Sequence, residues 1–524
     1  MALGNRYSQH SFAQIPDVKM ARSQFDRSFT QKDTFDFDYL VPCFVDEILP
    51  GDTASVNMSV FARLATQKVP IMDNMMIDFF FFFVPNRLVW DNWERFNGAQ
   101  DNPGDNTDFI VPTIEPTDTT GEPVGSLWDK FGLPTQIDDL EVIALPFRMY
   151  NLIYNTWFRS QDLQDSLPVP KDNGPDDITD YVLKKRTKRH DYFTSCSPEP
   201  QKGTAVSIPF ANENALIERF PNAPAWDVFK AGTDTPQTTG NLASSGLGNL
   251  YDGVSTALSL DPAGGLYAQL GLSQITVNAL RLSIAVQSIL ELDARGGTRY
   301  VEVLQNHFNV TSPDFRLQRP EYLGGGQAKI NSHPVAQTSP TAGSNAQAQL
   351  AAFATASSSS IGFSKSFVEH GWVIGLMCAR ADITYQQGIE RMWSRQKRFD
   401  YFWPKLQEVG EMAVLNKEIF AQGVNPADAS VFGYQEQYAD YRYKPSQIKG
   451  EFRSTFAQSL DMWHMAEEFS ALPQLNDVFI EQATPIERAL AVTGAPHLLI
   501  DIWCRYKHAR PMLTYAVPST LGRF

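Results

Sequence analysis

A chain of 524 residues with 43% hydrophobic, 12% aromatic and 20% charged residues is too apolar for disorder, and no charged or Pro-rich linker divides it into tandem modules. A formal net charge of −15 excludes a protein whose whole surface holds nucleic acid, because counterion-releasing contacts need Lys and Arg. The opening MALGNRYSQHSF has no apolar signal region, and no later stretch is long and uncharged enough for a membrane span, so no membrane insertion is expected. The 33 Gly and 33 Pro are scattered throughout, as many strands joined by turns require.

Residues 1–34 are polar and slightly basic and read as a loosely ordered tail. Three strands are then predicted in a row, over 35–48, 53–66 and 75–90, separated by Leu49-Pro50-Gly51-Asp52 and by the segment from Pro70 to Asn74. In the middle one Val56, Met58, Val60, Ala62 and Leu64 alternate with Asn57, Ser59, Phe61, Arg63 and Ala65, which places one face on a core. The third breaks that alternation at Phe79, Phe80, Phe81, Phe82 and Phe83. Consecutive aromatics in a strand point to both faces, so this core strand needs cover on both sides.

From Asp101 to Pro134 the chain is turn-rich and acidic, and MYNLIYNTWFRSQDL predicts a short buried helix. The densest basic run follows in LKKRTKR, with Lys184, Lys185, Arg186, Lys188 and Arg189, then Tyr192 and Phe193. Two readings are open: a solvated strand end, or a patch that touches DNA phosphates while the two aromatics stack on bases. Residues 203–272 are rich in Gly, Ser and Thr, and 231–280 contain no Lys or Arg, so this stretch is read as an insertion pointing away from nucleic acid. The best helix is predicted over Ser273 to Asp293, on the stripe Ile275, Ala279, Leu282, Val286 and Ile289, with a second from Arg299 to Phe308. The GGG at 324–326 reads as a turn, and the Ala/Ser-rich stretch from Ala336 to Ser360 as a mobile surface loop. Central strand character returns from Phe367 to Tyr385, and HLLIDIWCRYKHARPM gives a last strand. Between them Arg391, Arg395, Lys397 and Arg398 form a second basic group, for which an ion-paired reading leads because Glu390 and Asp400 are adjacent.

No motif of chemistry emerges. No Lys follows a Gly, no His precedes a Glu, and there is no G-x-S-x-G elbow. Cys43, Cys196, Cys378 and Cys504 lack paired spacing and read as buried thiols, so no cofactor, metal or catalytic residue is expected. A β-sandwich carbohydrate-active enzyme or lectin-like binding protein accounts for fold and aromatics alone, and a cytoplasmic binding scaffold has no positive support.

The phrases FVDEILPGDT, FARLAT, PIMDNM and FFFVPNRLVWDNWERFNG, in this order, resemble the major capsid proteins of gokushoviruses, small icosahedral single-stranded DNA phages of the Microviridae. LELDARGGTRYVEVLQNHFNVTSPDFRLQRPEYLGGG, KRHDYFTSC and RMWSR extend the resemblance over nearly the whole chain. It implies a mainly β fold, an eight-stranded antiparallel jelly roll with long loop insertions and a few helices. It also implies sixty copies in a T=1 shell around a circular single-stranded DNA genome, assembled in the host cytoplasm, with a small basic DNA-binding virion peptide and a host surface receptor as further partners. The domains expected are an inner arm over 1–34, a discontinuous jelly roll over 35–202 and 273–524, and a threefold spike over 203–272.

Overall fold

The computed structural model describes residues 22–116, 120–203, 277–296, 300–308, 318–336, 338, 350–423 and 426–515, with short strand pairs between 217 and 268. The chain divides into two units, Met1–Pro200 with Asp293–Phe524, and Gln201–Leu292.

Eight long strands build the larger unit: β1 (Phe29–Phe35), β2 (Val41–Ile48), β3 (Thr53–Leu64), β4 (Met75–Pro85), β5 (Glu321–Ala336), β6 (Leu350–Ser366), β7 (Gly371–Ala381) and β8 (Leu498–Arg510). They hydrogen-bond in the order β1-β8-β3-β6-β5-β4-β7-β2, every neighbour antiparallel. Divided between β6 and β5, this path gives the halves β1-β8-β3-β6 and β2-β7-β4-β5, the interleaved order of a jelly roll. The halves fold over one another: Phe44 of β2, at one end of the path, meets Tyr506 of β8, near the other, with ring centroids 5.4 Å apart. A flat sheet would hold those rings several strands apart.

Between the halves lies the main core, fed by alternate residues. Val56, Met58 and Val60 of β3 and Ile500, Ile502 and Cys504 of β8 face Phe79, Phe81 and Phe83 of β4. Phe82, buried, and Phe80, half-buried, point the other way into a second core. That core is roofed by α1 (Leu145–Ile153) and the π-helical turn Tyr154–Phe158 that continues it, with Phe158 5.4 Å from Phe80 and 5.9 Å from Phe82. The aromatic run is thus covered on both faces, which is why it dispenses with polar alternation. A third core joins Tyr192 and Phe193 to the hairpin Glu411–Leu415/Val431–Glu436 and to Phe479.

Several sequence expectations shift. Within the segment read as a tail, Ser23–Asp26 and β1 are strands paired with β8, so order begins before residue 34; residues 1–21 lie outside the described residues. The GGG is not a turn but part of β5. A Cβ on Gly325 would stand 2.0 Å from the Phe79 carbonyl oxygen, so only glycine admits the neighbouring strand there. Half of the segment read as a surface loop is β6, whose inward residues are Ala352, Ala354 and Ala356. Its period of two exists in burial but is muted in composition, since the inward positions are methyl-sized. The two helices run as α2 (Val277–Gly296) and α3 (Tyr300–Phe308).

The insertion read over 203–272 lies mostly outside the described residues. Within it three antiparallel pairs nest, Ile217–Glu218 with Tyr267–Ala268, Val228–Lys230 with Leu258–Leu260, and Ala243–Ser244 with Leu250–Tyr251. Among the described residues no helix is long and apolar enough to cross a membrane.

Candidate nucleic-acid interface

The basic run 183–189 is an extended segment held on both sides by backbone hydrogen bonds. The Leu40 and Arg186 N–H groups donate to the Lys184 and Asp38 carbonyls at 2.9 and 2.8 Å, while the Gln482 and Lys188 N–H groups donate to the Arg186 and Ile480 carbonyls, both at 2.8 Å. An extended chain alternates its side chains, so such a segment cannot offer all its cations to one partner.

Arg186 turns inward. Its Nη1 lies 2.5 Å from Asp78 Oδ2, and its guanidinium stands over the Phe80 ring at 5.1 Å. Lys188, 5% exposed, donates to Glu467 Oε2 at 2.7 Å and sits 4.3 Å over Phe479. Burial pushes the Glu467 carboxyl up, and Lys188 opposes that shift. Asp78 and Glu467 carry charges that the second core and its neighbour would otherwise strand, so these two cations serve the interior.

The two aromatics also face inward. Tyr192 donates its hydroxyl to Glu418 at 2.9 Å and stacks on Tyr443 with ring centroids 5.3 Å apart, and Phe193 packs edge-on to Tyr385 at 5.1 Å. Both are buried, so neither presents a face to a base. Burial, then the Glu418 carboxylate, raises the Tyr192 phenol, and burial raises Glu418 in turn. Lys184 and Lys185 remain half-buried and Arg189 exposed, with Lys185 Nζ 5.7 Å over the Tyr39 ring. Those three are the cations of the run still open to a phosphate.

In the second basic group, Arg391 bonds Glu418 Oε1 at 3.0 Å and Arg395 pairs with Asp440, while Arg398 lies 4.6 Å over the Trp403 ring. The four cysteines are free and buried, and burial holds the Cys378 and Cys504 thiols up at about 12. Sequence reasoning missed Asp78 as the carboxylate that claims Arg186. The signal was present, since an acid beside five phenylalanines needs a cation that the local sequence does not supply.

An eight-stranded jelly roll is an architecture of viral shell subunits, shared by lectin domains. The chain matches the capsid protein (F protein) family over residues 13–520 and belongs to it. Capsid protein VP1 of Bdellovibrio phage phiMH2K is 55% identical over the full length of both chains; VP1 of Chlamydia phage 1 is 40% identical over 98% of each, and VP1 of Spiroplasma virus 4 is 34% identical over 97% of each. The protein is a structural capsid subunit of the virion that assembles with itself.

Proposed function

We propose that sixty copies of this chain form a T=1 icosahedral shell around a circular single-stranded DNA genome, assembled in the host cytoplasm. The observation that carries this reading is the strand order β1-β8-β3-β6 and β2-β7-β4-β5 in a chain matched end to end by phage capsid proteins. Lys185 and Arg189, which alternation places on the side opposite Arg186 and Lys188, face the genome and contact phosphate. A subunit of net charge −15 does not compensate packed DNA, so a small basic virion peptide supplies most of the neutralisation.

The insertion over 203–272 forms a spike at the threefold axis and attaches the particle to a host surface receptor. Its strand pairs are antiparallel and nested, and the absence of Lys and Arg over 231–280 makes it a poor partner for phosphate. Electron cryo-microscopy of purified particles tests the whole reading: sixty subunits with 203–272 outermost and Arg189 innermost are expected, and another copy number or an outward Arg189 overturns the corresponding part.

A further inference from the structure

The segment 389–409, between β7 and the Glu411–Leu415 strand, has no regular structure beyond the 3₁₀ turns Arg391–Ser394, Arg398–Asp400 and Pro404–Leu406. It nonetheless displays large apolar side chains: Trp393 is 75% exposed, Phe399 67% and Tyr401 52%. Phe402, Trp403 and the facing Tyr441 are also more than a third exposed. Of these, Phe399, Tyr401, Phe402, Trp403 and Tyr441 are joined to one another or to the guanidinium groups of Arg395 and Arg398. Phe402 meets Tyr441 at 6.1 Å, Arg395 bridges Tyr441 and Tyr401 at 4.0 and 5.9 Å, and Arg398 lies against Phe399 and Trp403 at 5.7 and 4.6 Å.

The surface is held in shape. Asp400 Oδ2 accepts the backbone N–H groups of Gln396 and Lys397, both at 2.8 Å, and the Phe402 and Trp403 N–H groups donate to the hydroxyls of Tyr441 and Tyr438 at 3.1 and 3.3 Å. At about 200 Å² per aromatic ring, Phe399, Tyr401, Phe402, Trp403 and Tyr441 leave roughly 500 Å² open, near the upper end for a single patch on a monomer. That is more than half of the ~800 Å² one partner contributes to a standard interface. An ordered surface of this kind loses little conformational entropy on binding.

We infer that this aromatic platform is a contact between copies of the chain within the shell, covered by a second subunit. The inference rests on self-assembly of the capsid protein. Charge decides between a subunit and DNA as the occupant. Five cations lie in 389–409, but three carboxylates share the segment, and Glu418 and Asp440 face it. Arg391 is spent on Glu418, Arg395 on Asp440, and Lys444 covers Glu390 at 2.6 Å. A surface neutralised from within gives a polyanion little to release counterions against, whereas it suits an apolar protein face ringed by ion pairs.

The test uses the complete phage genome, so that any helper proteins are present. Phe399 projects from the subunit, so Phe399→Glu should leave a folded subunit with wild-type circular dichroism and melting. Its particle yield should fall at least tenfold, with protein sedimenting as subunits or small assemblies. Particle yield within twofold of wild type overturns the inference. A second measurement does not depend on the variant folding: benzoylphenylalanine at position 399, photolysed in assembled particles, should crosslink to another copy of this chain. Crosslinks to DNA or to a different protein, or no crosslink, overturn it. Failure of the wild-type chain to form particles under the same conditions would overturn self-assembly itself, and is seen before any variant is made.

Discussion

Arg380 of β7 reaches diagonally across the ladder to Asp78 of β4, Nε to Oδ2 2.7 Å, with 1% and 4% of their side chains exposed. Arg186, from the basic run some hundred residues on from Asp78, bonds the same oxygen at 2.5 Å. One buried carboxylate therefore ties two adjacent jelly-roll strands to the segment that crosses their outer face. Burial alone would lower the Arg380 guanidinium, but Asp78 and Asp382 more than offset it and hold it charged. The pair is a clamp on the chain's course rather than a source of net stability, since desolvation takes back much of what the charges gain.

Replacing Asp78 by Ala leaves two guanidinium groups facing an apolar layer. A loss of about 3–5 kcal/mol is expected, the usual cost of breaking a buried pair from one side. Arg186→Met, which leaves Asp78 its Arg380 partner, should cost distinctly less. Urea unfolding of the three subunits checks the order, and equal losses would show that Asp78 does not depend on two partners.

Phe81 is fully buried between Phe44 and Phe363, with centroids 6.1 and 5.2 Å away. Phe81→Ala should cost about 3–5 kcal/mol. Phe80→Ala, at a half-buried position under α1, should cost less, and soluble expression with normal assembly of the Phe81 variant would contradict this account of the core.

Gly325→Ala places a methyl 2.0 Å from the Phe79 carbonyl oxygen, so β5 must move away from β4. A loss of roughly 1–3 kcal/mol is expected, as for overpacking. Thermal denaturation checks it, and a variant as stable as wild type would mean the ladder yields there without cost.

His508 is fully buried among Asp46, Asp52, Tyr506, Arg27 and Arg510, its Nε2 2.9 Å from Asp52. Burial, then Arg510, lowers its pKa, while Asp52 and Asp46 oppose that shift. The folded imidazole stays neutral where the unfolded one takes a proton, so the unfolded state binds more protons below about pH 6.5. This contribution is complete above pH 6.5 and is lost as pH falls toward the lowered folded value. Unfolding free energy followed from pH 7 to 5 should decline, and His508→Gln should flatten the decline; an unchanged slope would remove His508 as its origin.

Joint replacement of Lys185 and Arg189 by Glu should reduce packaged DNA, read from particle density and absorbance, while the subunit melts as before. Lys188→Met should do the reverse, costing stability through Glu467 with little change in DNA content. Replacement of 203–272 by a short Gly-Ser linker should give particles that assemble but do not adsorb to cells, and normal adsorption would refute attachment by the insertion.

The alternation in β3 and the five phenylalanines of β4 were legible in the sequence because burial there is expressed directly in residue type. The same holds for Trp372 to Ala379 in β7, apolar on both faces since both are covered. β5 and β6 were not legible. Gly324–Gly326 are small because neighbouring strands crowd them, and the inward Ala352, Ala354 and Ala356 mute the period of two in β6; crowding is a property of the assembled sheet that local pattern does not carry. The basic run shows the same division for the candidate site. Composition located LKKRTKR, yet which cations remain open was decided by Asp78 and Glu467, residues far away in sequence that the fold brings under Arg186 and Lys188. A side chain's type is written locally, whereas its partner is set by the long-range pairing that brings carboxylate and cation into one low-dielectric site.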